Sequence, residues 1–214
     1  MAKSKNVRSD DIKTPLAVIA YAHNLFEPQE RDNGKKQYGC TLLFPKSADI
    51  SALRKLVGDT ALAKWGEKAK ALVESEILKS PFLDGDGKQG KHKETGEPHK
   101  GFPGHWFIRC ASGIDFKPKV WDAKRNPIYE KDEIPSGSEV YAVVNCYAWE
   151  NDEGGKGVSF GISHVQRVKK AEGDAILGGG GGGPDPDKFF EKIEDEGDAP
   201  AETKGGAGAA GLFG

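Results

Sequence analysis

The chain has no apolar run approaching the length of a membrane span, and no apolar segment stands behind its charged start, Met1-Ala2-Lys3-Ser4-Lys5. A transmembrane helix and a secretory leader are therefore not expected, and the reading is of a soluble cytoplasmic protein with no membrane partner. Cysteine is scarce. Cys40, Cys110 and Cys146 are odd in number, far apart, and each lies in a strand-like run. That excludes a disulfide framework and suits buried thiols in a reducing compartment. Apolar residues make up only 36% of the chain against 30% charged, too few for 214 residues packed throughout. The chain also lacks a strong net charge, at −2, but that figure conceals an uneven distribution.

Residues 178–214 carry eight acids and three lysines, a net of −5, which leaves residues 1–177 with 28 basic and 25 acidic side chains, a net of +3. A basic body is thus joined to an acidic end, and the body can attract a polyanion for which the end would compete. Gly178 to Gly183 are six consecutive glycines, a hinge with no capacity to pack. Residues 184–214 are polar and of low complexity, and are expected to be a disordered acidic tail with at most a short helical turn around Phe189–Ile193. The organisation expected is one folded domain over 1–177, the hinge at 178–183, and the tail.

Within the body, strand signals dominate. Leu16–Tyr21 is a short apolar run, and Asn24–Gly34, with Pro28 and Asn33-Gly34, reads as a loop. Tyr38–Phe44 alternates, with Tyr38, Cys40, Leu42 and Phe44 on one face. Over 47–79 the period becomes helical: Ile50, Leu53, Leu56 and Val57 form one stripe and Trp65, Ala69, Leu72, Val73 and Ile77 a second. Gly58-Asp59 is the expected break, with Asp59 able to cap the second helix. Residues 81–104, rich in glycine, proline and lysine, predict a long basic loop. Strands return at His105–Ala111, Asp115–Trp121, Glu139–Trp149 and Gly157–Val168, the last two joined by a turn-rich connection at 151–156. A mainly β protein with a helical insertion follows, suited to a small closed barrel.

The most informative strand is Glu139–Trp149, because its two faces differ in kind. Val140, Ala142, Val144, Cys146 and Ala148 are small and apolar, fit for a tight barrel interior; Tyr141, Val143, Asn145, Tyr147 and Trp149 present three aromatics and an amide on the other side. Aromatics on an outward sheet face are what sequence-independent single-strand recognition needs, because every base has a π-face. Phe107 beside Arg109 pairs a stacking ring with a cation in the same way, although core packing suits Phe107 nearly as well. Lys117 and Lys119 flank Pro118, and Lys156 and Arg167 extend a candidate phosphate track. With Tyr38 these are the expected nucleic-acid contacts.

Signals for catalysis are weaker. Asp84-Gly85-Asp86-Gly87 opens like a calcium loop, but its fifth position is Lys88 and its twelfth Thr95. His92, His99, His105 and Cys110 match no compact zinc spacing. Asp115 with Asp122-Ala123-Lys124 is the best candidate for a Mg²⁺-dependent nuclease, on a short pattern that is common by chance. A structural or scaffold module is the third reading. No enzyme, cofactor or metal is expected.

Several segments in order then become specific: Ala22-His23-Asn24-Leu25-Phe26-Glu27-Pro28, Phe44-Pro45-Lys46-Ser47, Pro81-Phe82-Leu83-Asp84-Gly85-Asp86, Gly104-His105-Trp106-Phe107-Ile108, Pro135-Ser136-Gly137, Asn145–Trp149 and Lys156–Val168. Together they resemble the OB-fold single-stranded DNA-binding proteins of tailed bacteriophages over roughly residues 10–180. The resemblance implies a five-stranded OB-like barrel and no catalysis. Its expected function is to coat single-stranded DNA in phage replication, recombination and repair inside the host cytoplasm, often as a homodimer. It also implies an acidic tail that recruits replication or recombination proteins, with Asp195, Glu196, Asp198 and Phe213 as the docking residues. Here Phe213 is followed by Gly214, a departure from a terminal phenylalanine.

Overall fold

A computed structural model describes residues 7–31, 34–151 and 153–172. The glycine hinge at 178–183 and the acidic tail at 184–214 lie outside the described residues. Among those described, no helix is long and apolar enough to cross a membrane.

Among the described residues ten strands form one sheet: β1 (Ile12–Lys13), β2 (Ala17–Ala20), β3 (Gln29–Glu30), β4 (Lys36–Pro45), β5 (Leu78–Lys79), β6 (Leu83–Asp84), β7 (His105–Gly113), β8 (Lys119–Trp121), β9 (Glu139–Glu150) and β10 (Lys156–Lys169). Five of them close a barrel. β2 pairs with β4, β4 with β7, β7 in parallel with β10, β10 with β9, and β9 returns to β2 through Ala17↔Val140 and Val18↔Glu139. This closure, with its single parallel pairing, is that of an OB-type barrel, as expected. Register shifts in β10 at Ile162/His164 and Arg167/Lys169 bend the β9–β10 ribbon round the barrel.

The alternation read in β9 decides which side faces in. Val140, Ala142, Val144, Cys146 and Ala148 are all buried, and Val158, Phe160, Ile162 and Val165 lie beside them on the paired strand β10. Cys40, Leu42 and Phe44 of β4 and Ile108 and Cys110 of β7 complete the cluster. The three thiols are free and buried, and loss of hydration pushes the Cys146 thiol up to about 12, so it stays neutral and packs as a small apolar group.

Two expectations are corrected. The helical insertion divides at Gly66 rather than at Gly58-Asp59: α1 runs Ser51–Trp65 and α2 Lys68–Glu74. Gly66 has φ 57°, a conformation that suits glycine and ends α1, whereas Gly58 is tolerated in mid-helix and Asp59 pairs with Lys55 one turn back instead of capping. The expected strand at Asp115–Trp121 shortens to Lys119–Trp121, because Gly113–Phe116 makes a turn closed by Phe116 N–H donating to the Gly113 carbonyl, 2.9 Å. Leu53, Ala61 and Ala69 bury the helices against the barrel interior, while Val73 and Ile77 remain exposed.

The expected basic loop over 81–104 is corrected in part: Leu83–Asp84 forms β6 against β7, and the remainder from 85 to 104 is compactly built. Lys46 Nζ lies 2.9 Å from Asp84 Oδ1 and 2.6 Å from Asp86 Oδ2, and Asp86 Oδ1 accepts from Gly104 N–H at 3.0 Å. A side chain at Gly85 would run into the Phe102 carbonyl, so the chain can pass there only as glycine. The loop thereby lays Phe102 over the outer face of β7.

Candidate nucleic-acid interface

The outer surface of the β9–β10 ribbon is a shelf of aromatic residues on small ones. Tyr147 of β9 is paired with Ser159 of β10 and Trp149 with Gly157. The Trp149 indole lies across Gly157, where any side chain would collide with it, and its Nε1–H donates to Ser159 Oγ at 2.8 Å. That bond and the glycine floor fix the ring half-exposed beside Tyr147, which is 37% exposed. Burial raises the Tyr147 hydroxyl above the ordinary phenol range, so the ring is neutral at physiological pH.

This shelf floors a groove of about 1080 Å³. Phe116 and Lys117 line it from the β7–β8 connection and Lys119 from the start of β8. Arg8 enters from a segment that runs beside β9, with Ser9 N–H donating to the Cys146 carbonyl at 2.8 Å and Arg8 bridged to Tyr147. Lys64 of α1 is the fourth basic residue, against two carboxylates, Asp115 and Glu150. Glu150 is already engaged. It takes Lys156 Nζ at 2.8 Å and Trp65 Nε1–H at 2.6 Å, and these bonds hold its carboxyl below the usual range. The groove is therefore net positive with stacking surfaces in its floor, the combination that holds a single strand.

Of the nine expected contacts, four line this groove: Lys117, Lys119, Tyr147 and Trp149. Tyr38 is half-buried just outside, with the Lys117 ammonium 5.9 Å from its ring. Lys156 is neutralised by Glu150. Arg167 donates to the Glu133 carbonyl, away from the groove. Arg109 is exposed but does not line the groove, and lies 5.8 Å from the Phe107 ring. Phe107 is a correction: it is fully buried, packed edge-on against Phe102 at 4.9 Å and joined by Ala20 and Leu43. A ring with no exposed face cannot stack on a base, and the 85–104 loop is the cause. Asn145, placed on the outward face, does point that way but is covered, donating to Asp11 Oδ1 at 2.7 Å. The tail residues Asp195, Glu196, Asp198 and Phe213 lie outside the described residues.

The carboxylate weighed for metal chemistry is occupied in a turn. Asp122 accepts from Lys124 N–H, Asn126 N–H and Asn126 Nδ2–H, each at 2.8 Å, and these bonds lower its pKa.

The sequence profile of the Enterobacter phage Enc34 ssDNA-binding protein family matches residues 11–200. The chain belongs to this family of phage ssDNA-binding proteins. The family is non-enzymatic. The solved single-stranded DNA-binding protein from bacteriophage Enc34 in complex with ssDNA is similar in fold, with a TM-score of 0.55 at 24% identity over 79% of this chain and 98% of that one. The single-stranded DNA-binding protein encoded by bacteriophage T7 has a TM-score of 0.52 at 14% identity, over 90% and 99%. No curated protein matches the chain.

Arg8 and Phe116 were missed from the sequence. Phe116 is 74% exposed at the groove wall, and an aromatic set between the charged residues Asp115 and Lys117 was the available signal. Arg8 gave none, since only pairing with β9 brings it to Tyr147.

Proposed function

We propose that this chain binds single-stranded DNA without sequence preference in the groove over β9 and β10. Tyr147 and Trp149 stack on bases, and Arg8, Lys117 and Lys119 meet phosphates. The observation that carries the reading is the pair of half-exposed rings held on a glycine–serine floor in a groove lined by Arg8, Lys64, Lys117 and Lys119. Stacking contributes on the order of 1–3 kcal/mol per base irrespective of sequence, and each phosphate neutralised releases counterions, so affinity falls with salt.

In this reading the protein protects exposed strands during phage replication, recombination and repair, and acts as a homodimer. The acidic tail recruits partner proteins through Asp195, Glu196, Asp198 and Phe213, and competes for the basic groove when DNA is absent, at the high effective concentration that tethering gives it. Family membership and the asymmetry of charge between residues 1–177 and 178–214 support these assignments.

Titration of oligo-dT followed by tryptophan fluorescence at two salt concentrations tests the binding mode. Quenching that is reduced in Trp149→Phe, with weaker binding at higher salt, is the expected result; binding that ignores salt and leaves every tryptophan unquenched would overturn it. Removal of residues 184–214 is expected to tighten binding at low salt. An unchanged affinity would remove tail competition while leaving the groove in place.

A further inference from the structure

The outward face of the β9–β10 ribbon does not end at the first groove. On β9 it continues from Tyr147 through Asn145 and Val143 to Tyr141; on β10 it continues from Gly161 through His164 to Gln166. A second groove of about 780 Å³ lies there, and His164 lines both. From Trp149 to Tyr141 the strand rises about 26 Å. The two depressions are therefore successive stations on one curved surface.

The second groove repeats the chemistry of the first. Trp121 stacks beside His164, with rings 13° from parallel and centroids 6.3 Å apart. Tyr141 is half-buried, with the Lys13 ammonium 3.8 Å above its ring. Two further cations come from a turn built to present them. Asp122 ties the turn through Lys124 and Asn126 N–H, Arg125 sits at φ 66°, and Gln166 Nε2 of β10 donates to the Asp122 and Ala123 carbonyls at 3.3 Å. Left-handed backbone at a long side chain is uncommon and here is over-determined by these bonds. It leaves Lys124 and Arg125 exposed at the groove with no carboxylate partner among the described residues. Asp11 is the one acid lining the groove, and its Oδ1 accepts from Asn145.

We infer that the second groove is a further single-stranded nucleic-acid subsite, in which a strand leaving the first groove past His164 stacks on Trp121 and Tyr141 and has its phosphates met by Lys124 and Arg125. The inference rests on the proposed reading of the first groove. Charge complementarity and continuity with that groove select a polyanionic strand as the occupant. The footprint on one barrel is then longer than one groove allows.

The test compares oligo-dT of about 6 and about 25 nucleotides, one near the lower end of the roughly 4–16 nucleotide range of single OB folds and one beyond its upper end. The full chain is set against Lys124→Ala/Arg125→Gly; glycine keeps the left-handed turn, and an unchanged Tm confirms the fold. The double variant is expected to lose about tenfold in affinity for the long oligonucleotide and to reduce its salt slope by about 1.4, at 0.7 per phosphate contact, with the short one unaffected. Wild-type affinity and slope at both lengths would overturn the second subsite and leave the first standing. Equal losses at both lengths would overturn it as well, marking a diffuse field instead of a footprint. Failure of the unmodified chain to bind either length would remove the first-groove reading, and this one with it.

Discussion

Phe107 and Arg109 alternate outward on β7 much as Tyr147 and Trp149 do on β9, yet the first ring is sealed under the 85–104 loop and the second two face an open groove. Local pattern is nearly the same on the two halves of the barrel wall. What differs is whether a neighbouring segment finds something to pack on. Over β7 the loop carries Phe102, pinned by the Lys46 pairs to Asp84 and Asp86. Over β10 the facing residues are Gly157, Ser159 and Gly161, which offer an apolar cover little to grip and leave room for the β9 rings to lie flat.

The largest effect expected from this contrast is on stability. Phe107→Ala empties a fully buried site and is expected to cost about 3–5 kcal/mol, lowering Tm by about 10 °C or more, while the folded fraction binds oligo-dT as before. Calorimetry beside a binding isotherm checks both halves of the statement. Next comes the open half. Tyr147→Ala and Trp149→Ala are each expected to lose about 1–3 kcal/mol of DNA binding, and Tyr147→Ala to leave Tm almost unchanged. Loss of binding in the Phe107 variant, with none in the Tyr147 variant, would invert the comparison.

Gly157→Val sharpens it without touching an aromatic. The added side chain displaces the indole and breaks its bond to Ser159, with an expected loss of about 1 kcal/mol in affinity, measured by the same titration. The smallest effect concerns acid. Burial lowers the His99 pKa, with smaller contributions from the charges of His92 and Arg109. The unfolded chain therefore takes up this proton first, and the loop's stability, full above about pH 6.5, declines as pH falls through the lower folded value. Asp84 and Asp86, both lowered mainly by Lys46, add a second decline below the ordinary carboxyl range. Hydrogen exchange is expected to show residues 85–104 losing protection on acidification before β9 does; simultaneous loss would count against a separately weakened cover.

Much of the barrel was legible because period-two alternation reports directly on a closed sheet. Every small apolar position read as interior in β9 is buried, and Tyr141, Tyr147 and Trp149 do point outward. The four residues that assemble in the first groove come from that strand and from Lys117 and Lys119. The rest was hidden for a common reason. Asn145 is covered by Asp11, Lys156 is neutralised by Glu150, and Arg8 is delivered to Tyr147 by a segment well over a hundred residues away in sequence. The same holds for Trp121 and Lys13, whose proximity to Tyr141 and His164 depends on β1 and β8 pairing with opposite strands of the ribbon.

Sequence by itself determined that the body is a small β barrel with thiols and small apolar residues inside, that aromatics stand on the outer face of its longest hairpin, and that acid is concentrated after the glycine run. These are local properties, carried by spacing and composition. Only the tertiary structure decided which outward rings stay accessible and which cations are left unpaired. Exposure and ion pairing depend on what packs against a side chain from elsewhere in the chain, and no local period encodes that neighbour.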